Sequence, residues 1–134
     1  MAYKKTICVD FDGVLHLYES GWKSLEIIED NPVPGAFDFL TRLVEAENHD
    51  HEGNYRGKKF DVCIYSARSA TQAGIMAMKE WFRKHGLPEK ILRDLAFPDS
   101  KPAAVVYIDD RAWRFDGVFP TIEELETFKP WNKR

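Results

Sequence analysis

The stretch Thr6-Ile7-Cys8-Val9-Asp10-Phe11-Asp12-Gly13-Val14 decides the reading of this chain. A short apolar run suited to a buried strand stops at an acid, a second acid follows two residues on, and a glycine follows that. Past the strand end, Asp10 still points toward the crevice, and the turn that Gly13 permits folds Asp12 back toward the same point. The pattern of an apolar run ending in polar groups recurs twice. Phe60 to Tyr65 leads into Ser66-Ala67-Arg68, and Ala103 to Ile108 leads into Asp109-Asp110-Arg111, with Lys101 just ahead. In open α/β sheets the ligand crevice lies at the C-terminal ends of the strands, which is where this pattern puts each of these groups.

Between the strands the signals are helical. After Pro32-Val33-Pro34-Gly35, the residues Phe37, Leu40, Leu43 and Val44 make an apolar stripe, so a helix is expected from Ala36 to about Glu47. Thr71 to His85 carries a second stripe of Ile75, Met78, Trp81 and Phe82 and is stopped by Gly86. Thr121 to Phe128 reads as a final helix with Thr121 and Glu124 as a capping box. The first strand is expected from Lys4, a short strand within Ile91 to Phe97, a buried one over Ala103 to Ile108, and another at Gly117 to Phe119. Leu15 to Asn31 lacks periodicity and reads as a flap, and Asn48 to Lys59 reads as an exposed connection. Such alternation implies a parallel sheet of about five strands flanked by helices, an α/β fold.

With 134 residues, 44% hydrophobic and 31% charged, the chain is expected to form one domain over residues 1–134. A net charge of −3 argues against indiscriminate binding to polyanions. No apolar run approaches the roughly 20 residues of a membrane span. Met1-Ala2-Tyr3-Lys4-Lys5 runs into a strand-like segment without a signal-peptide core, so the expected compartment is cytoplasmic. Cys8 and Cys63 lie inside strand-like runs and are expected to be buried, reduced thiols without a functional role.

Three or four carboxylates converging from Asp10, Asp12, Asp109 and Asp110 would repel one another without a cation or a shared proton. Oxygen-only donors suit Mg²⁺, which takes a few carboxylates together with substrate phosphate oxygens. Ser66, Lys101 and Arg68 offer the hydroxyl and positive charge that a phosphate needs.

These residues resemble the haloacid dehalogenase-like (HAD) phosphohydrolases, whose four motifs match in order at Asp10 to Val14, Ser66, Lys101 and Asp109-Asp110. The resemblance implies a three-layer Rossmann-like sheet with helices on both faces. It implies that Asp10 is the nucleophile taking the phosphoryl group, and that Asp12 protonates the leaving oxygen and then activates water. It also implies Mg²⁺ held by Asp10, the backbone carbonyl of Asp12 and an acid of the last motif, Asp109 ahead of Asp110, with Ser66 and Lys101 orienting the phosphate. Ser66 to Arg68 and Ile108 to Arg111 are similar to the 3′-phosphatase domain of phage-type polynucleotide kinases and to small stand-alone phage and bacterial members. Lys101 stands closer to the last motif than in many members, which leaves Lys90 as an alternative, and no kinase P-loop occurs.

Neither inter-motif interval has room for a separate cap domain, so the site is expected to be open and suited to a nucleotide or a nucleic-acid terminal 3′-phosphate. A small-metabolite phosphatase covered by the flap, and a catalytically silent binding module, are the alternatives. His16, Tyr18 and Trp22 either stack on a base or pack the flap down. Arg111 is expected to brace the acid pair, Trp113, Phe115 and Phe119 to cover the sheet edge, and His49-Asp50-His51-Glu52 to be a polar loop. Receiver domains gather similar groups, but their adjacent acid pair comes early, whereas here it comes last.

Overall fold

The computed structural model describes residues 5–133. Lys4, expected to open the first strand, lies outside them. In chain order the elements are β1 (Lys5–Val9), α1 (Ala36–Glu45), β2 (Glu47–His49), β3 (Tyr55–Lys58), β4 (Phe60–Ile64), α2 (Gln72–Lys84), α3 (Glu89–Arg93), β5 (Leu95–Ala96), β6 (Val106–Ile108) and α4 (Ile122–Glu126). Among the described residues, β5, β4, β1 and β6 form one sheet in that order, every pair parallel. β1 sits between β4 and β6, with Cys8 opposite Cys63 on one side and Val9 opposite Ile108 on the other. The chain leaves β1 toward β4 and returns much later to its other side, so the end of β1 is a topological switch point.

The steps from β1 to β4 and from β4 to β5 run in one direction. Right-handed crossovers then put α1 and α2 on the same face of the sheet. One apolar cluster shows this, joining Ile7, Val9, Val62 and Ile64 of the sheet to Leu40 and Val44 of α1, to Ile75, Met78, Trp81 and Phe82 of α2, and to Ile91 and Leu92 of α3. Its centre is aromatic. Phe82 meets Phe11, Trp81 and Phe97 edge-on with ring centroids 5.3–6.1 Å apart, a favoured arrangement of ring quadrupoles. α4 buries none of its residues and takes no part in this core.

Four strands stand where about five were expected. Gly117 to Phe119 forms no strand; Gly117 has φ 100° and Phe119 is 82% exposed. Trp113, Phe115 and Phe119 are exposed and do not cover the sheet edge. Ala103 to Ile108 is not a buried strand either. Its paired part, β6, lies at an edge of the sheet and leaves Val106 and Tyr107 exposed, as is Val105 just before it. The short strand expected within Ile91 to Phe97 is β5, while Ile91 and Leu92 fall in α3, where the chain turns into a helix after Pro88 and both side chains bury in the cluster. The polar segment before β4 is exposed as expected, yet it pairs as an antiparallel hairpin. Asp50 organises its turn by accepting from the Glu52 and Asn54 amides at 2.9 Å and from Arg56 at 2.7 Å.

Truncating Phe82, which is fully buried at the centre of the aromatic cluster, is expected to cost about 3–5 kcal/mol in Phe82→Ala. Chemical denaturation would show this as a lowered midpoint at unchanged slope.

Candidate active site at the strand ends

The end of β1 delivers Asp10 beside the end of β6, and the Asp10 amide donates to the Ile108 carbonyl at 2.9 Å. This pairing brings Asp10, Asp109 and Asp110 together, with one carboxylate oxygen from each within 4.8 Å of the others. The Asp110 side chain is 3% accessible. Its Oδ1 is the one buried side-chain oxygen without a hydrogen-bond partner among the described residues. Asp110 reaches this place because Gly13 has no side chain: a Cβ there, on a backbone already at φ +84°, would come within 2.8 Å of the Asp110 carboxyl carbon. The spacing of Gly13 behind Asp12 thus serves the last motif as well as the first.

Burial, and then the charges of Asp109 and Asp110, push the Asp10 carboxyl up to about 8, against a single backbone hydrogen bond from Phe11 at 2.8 Å that favours the ionised form. Burial also raises Asp110. Arg111 approaches Asp110 no closer than 4.0 Å and is largely exposed, so its bracing is slight. These three carboxyl groups, one with an orphaned buried oxygen, could hold a metal ion, and oxygen-only donors are the kind that hard divalent cations take.

A cavity of about 280 Å³ adjoins the cluster, lined by Cys8, Asp10, Tyr65, Lys101, Tyr107, Ile108, Asp109 and Ala112. Lys101 therefore shares a wall with Asp10, its ammonium 4.5 Å from the centre of the Tyr107 ring. Lys90, the alternative, lines a different hollow with Glu45, Glu47, Lys58 and Arg93. A larger hollow of about 600 Å³ beside Trp113, Arg114 and Phe128 shares only Ala112 with the first and contains none of the clustered acids. Cys8 and Cys63 are free, buried thiols, both raised chiefly by burial.

Asp12 does not join the carboxylate cluster. Its Oδ2 accepts from Arg68 Nε at 3.0 Å, and its Oδ1 accepts from Arg68 Nη2 at 3.2 Å and lies 2.9 Å from His16 Nδ1. The assignment of Arg68 as a phosphate contact is corrected: its side chain is 0% exposed. Its Nη1 donates to the carbonyls of Ser24, Leu25 and Ile27 at 2.8, 2.9 and 3.2 Å, and its guanidinium lies 4.7 Å from the Trp22 ring centre. Arg68 is a clamp between Asp12 and the flap. Ser66 is likewise turned inward, its Oγ accepting from the Arg68 amide at 3.0 Å as the cap of the 3-10 turn Ala67–Ala70 and donating to Met78 Sδ at 3.6 Å. Neither Ser66 nor Arg68 lines the cavity beside Asp10.

Two contacts were not foreseen. His16 is a buried partner of Asp12, and Trp131, beyond every motif, donates its indole N–H to the Gly13 carbonyl at 2.6 Å. The flap is packed down by His16 and by the Trp81 indole, which donates to the Asp30 carbonyl at 3.0 Å; Trp22 covers Arg68.

The electrostatics predict an inverted stability effect. The Asp10 carboxyl is raised from 3.8 to about 8 on folding. Between those values the unfolded chain ionises it and the fold resists, so this group's contribution to stability falls as pH rises through that window. In chelator at pH 8–9, Asp10→Asn is expected to melt a few degrees above wild type. Saturating Mg²⁺ is expected to raise wild type by several degrees and the variant much less, through preferential binding to the fold. Thermal melts with and without the cation check both.

Compared with protein-family models and with curated proteins, the chain matches none.

Proposed function

We propose that this protein is a Mg²⁺-dependent phosphomonoester hydrolase of HAD type, acting through an aspartyl-phosphate on Asp10, with a nucleotide or a nucleic-acid terminal 3′-phosphate as substrate. The observation that carries this reading is the convergence of Asp10, Asp109 and the orphaned Asp110 oxygen beside Lys101 at the end of the central strand. A four-stranded parallel sheet with its switch point at that end supports a Rossmann-like fold.

Asp10, Asp109 and Asp110, with the Asp12 carbonyl, would hold the ion. When bound, Mg²⁺ neutralises the clustered carboxylates and polarises the phosphoryl oxygens. The chemistry of the chain's own groups is a double displacement. An Asp10 oxygen attacks phosphorus and the bond to the ester oxygen breaks, with the leaving oxygen taking a proton from Asp12. Water then attacks the phosphorus of the aspartyl-phosphate, Asp12 receives its proton, and the Asp10–phosphorus bond breaks to release phosphate. Lys101, on the same cavity wall, balances the phosphoryl charge.

The size of the cavity supports an extended substrate. About 280 Å³ lies just below the roughly 300–1,000 Å³ usual for small-molecule pockets, so a terminal phosphate and its nearest atoms enter and the rest stays outside. Phosphate release in Mg²⁺ from a panel of 3′- and 5′-phosphorylated oligonucleotides, mononucleotides and sugar phosphates tests the reading. The 3′-phosphorylated end is expected to be preferred at least about tenfold, with Asp10→Asn inactive and chelator abolishing turnover. Preference for a sugar phosphate would instead favour the metabolite enzyme, and no release above the Asp10→Asn blank would favour the binding module.

A further inference from the structure

We propose that His16 is a positioning residue for Asp12, holding one carboxyl oxygen so that the other carries the proton traffic with substrate and water. This rests on the phosphatase reading above and adds a residue to it.

The argument is one of hydrogen-bond inventory. His16 is 2% exposed, so its two ring nitrogens must find partners within the protein. The Asp30 amide donates to Nε2 at 3.0 Å, which makes Nε2 an acceptor. The ring hydrogen is then on Nδ1, which donates to Asp12 Oδ1 at 2.9 Å. The ring cannot turn to exchange these roles, because Phe11 stacks on it at 5.6 Å with 20° between planes and Trp81 meets it edge-on at 5.6 Å. The Asp30 carboxylate oxygen 3.7 Å from Nε2 is itself engaged by the Ser20 amide and hydroxyl pair, at 2.7 and 2.6 Å to its two oxygens.

The consequence falls on Asp12. Its Oδ1 accepts from His16 Nδ1, Arg68 Nε and Arg68 Nη2, at 2.9, 3.2 and 3.2 Å. Among the described residues Oδ2 accepts from Arg68 Nε alone, at 3.0 Å. A carboxylate has about four lone-pair sites, and Oδ1 has spent its own. Proton exchange with a leaving oxygen is left to Oδ2, and the direction of that oxygen is fixed by His16 from one side and Arg68 from the other. The Nε2 contact with Asp30 ties this arrangement to a seated flap.

The test separates proton donation from general damage. Wild type, Asp10→Asn, His16→Asn, His16→Gln and His16→Leu are compared in Mg²⁺ on a nucleoside 3′-phosphate, whose alkoxide must be protonated to leave, and on p-nitrophenyl phosphate, whose phenolate leaves unaided. His16→Leu and His16→Gln, which lack a donor at the Nδ1 position, are expected to slow release of the nucleoside in a single turnover at least about tenfold, within the 10²–10⁴-fold that general acid catalysis supplies. Single-turnover release of p-nitrophenolate, which precedes the water step that Asp12 also serves, is expected to slow less than about threefold. His16→Asn, whose amide can replace the Nδ1 donor, is expected to recover most of the loss. Equal losses on both substrates, or no loss on either, would overturn the role of His16 while leaving the phosphatase reading standing. Turnover of neither substrate by wild type above the Asp10→Asn blank would overturn that reading and this inference with it. If His16→Leu melts far below wild type, the contrast between His16→Gln and His16→Asn decides alone.

Discussion

The buried pair of Arg68 and Asp12 is the constraint around which the site is built. A guanidinium with no solvent exposure carries a desolvation penalty of several kcal/mol, which only a close counter-charge and filled donors offset. Asp12 supplies the counter-charge, and the carbonyls of Ser24, Leu25 and Ile27 fill the remaining donors. The flap has no regular secondary structure of its own over Leu17 to Asn31, and Arg68, together with His16 and Trp81, holds its path. One side chain therefore fixes both the catalytic candidate on the first turn and the loop that lies against it. Removing Arg68 would strand Asp12 and three carbonyls together, which is why no partial substitute is expected to serve.

Beside that satisfied pair stands an unsatisfied one. Asp12 is paired with Arg68 within the protein, whereas among the described residues the cluster of Asp10, Asp109 and Asp110 has one ion pair, to Arg111 at 4.0 Å. Two neighbouring acid sites thus have opposite electrostatic character. The first is complete and rigid; the second is held in a geometry that the rest of the fold imposes at a cost, in the manner of a binding site built for a charge that arrives later.

Much of the architecture was legible in the sequence because hydrophobic period and strand-end chemistry are local signals. Asp10, Asp109 and the two long helices fall where alternation and apolar stripes put them, and the Thr121–Glu124 capping box is present. What was not legible depends on distant partners. Arg68 and Ser66 carry the right chemistry for a phosphate, but their direction was decided by a flap some 40 residues upstream and by Met78, neither of which has a spacing signature. From the sequence His16 reads as an aromatic in a loop that either stacks on a base or packs the flap down; only the fold shows Asp12 and Asp30 on its two nitrogens. The strand expected at Gly117 to Phe119 failed for the opposite reason. Apolar content there suggests burial, yet Val118 and Phe119 stay exposed and β6 remains at the edge of the sheet.

The position of β6 at the rim has a consequence for how the site holds together. β1 is bonded on both sides and lies over the aromatic core, so Asp10 belongs to the part of the molecule that opens only when everything does. β6 has three residues, one partner and half-open side chains, the marks of a segment that frays at low cost. The two halves of the carboxylate cluster thus stand on strands of unequal support, and a local opening of β6 would separate them while the core stays folded.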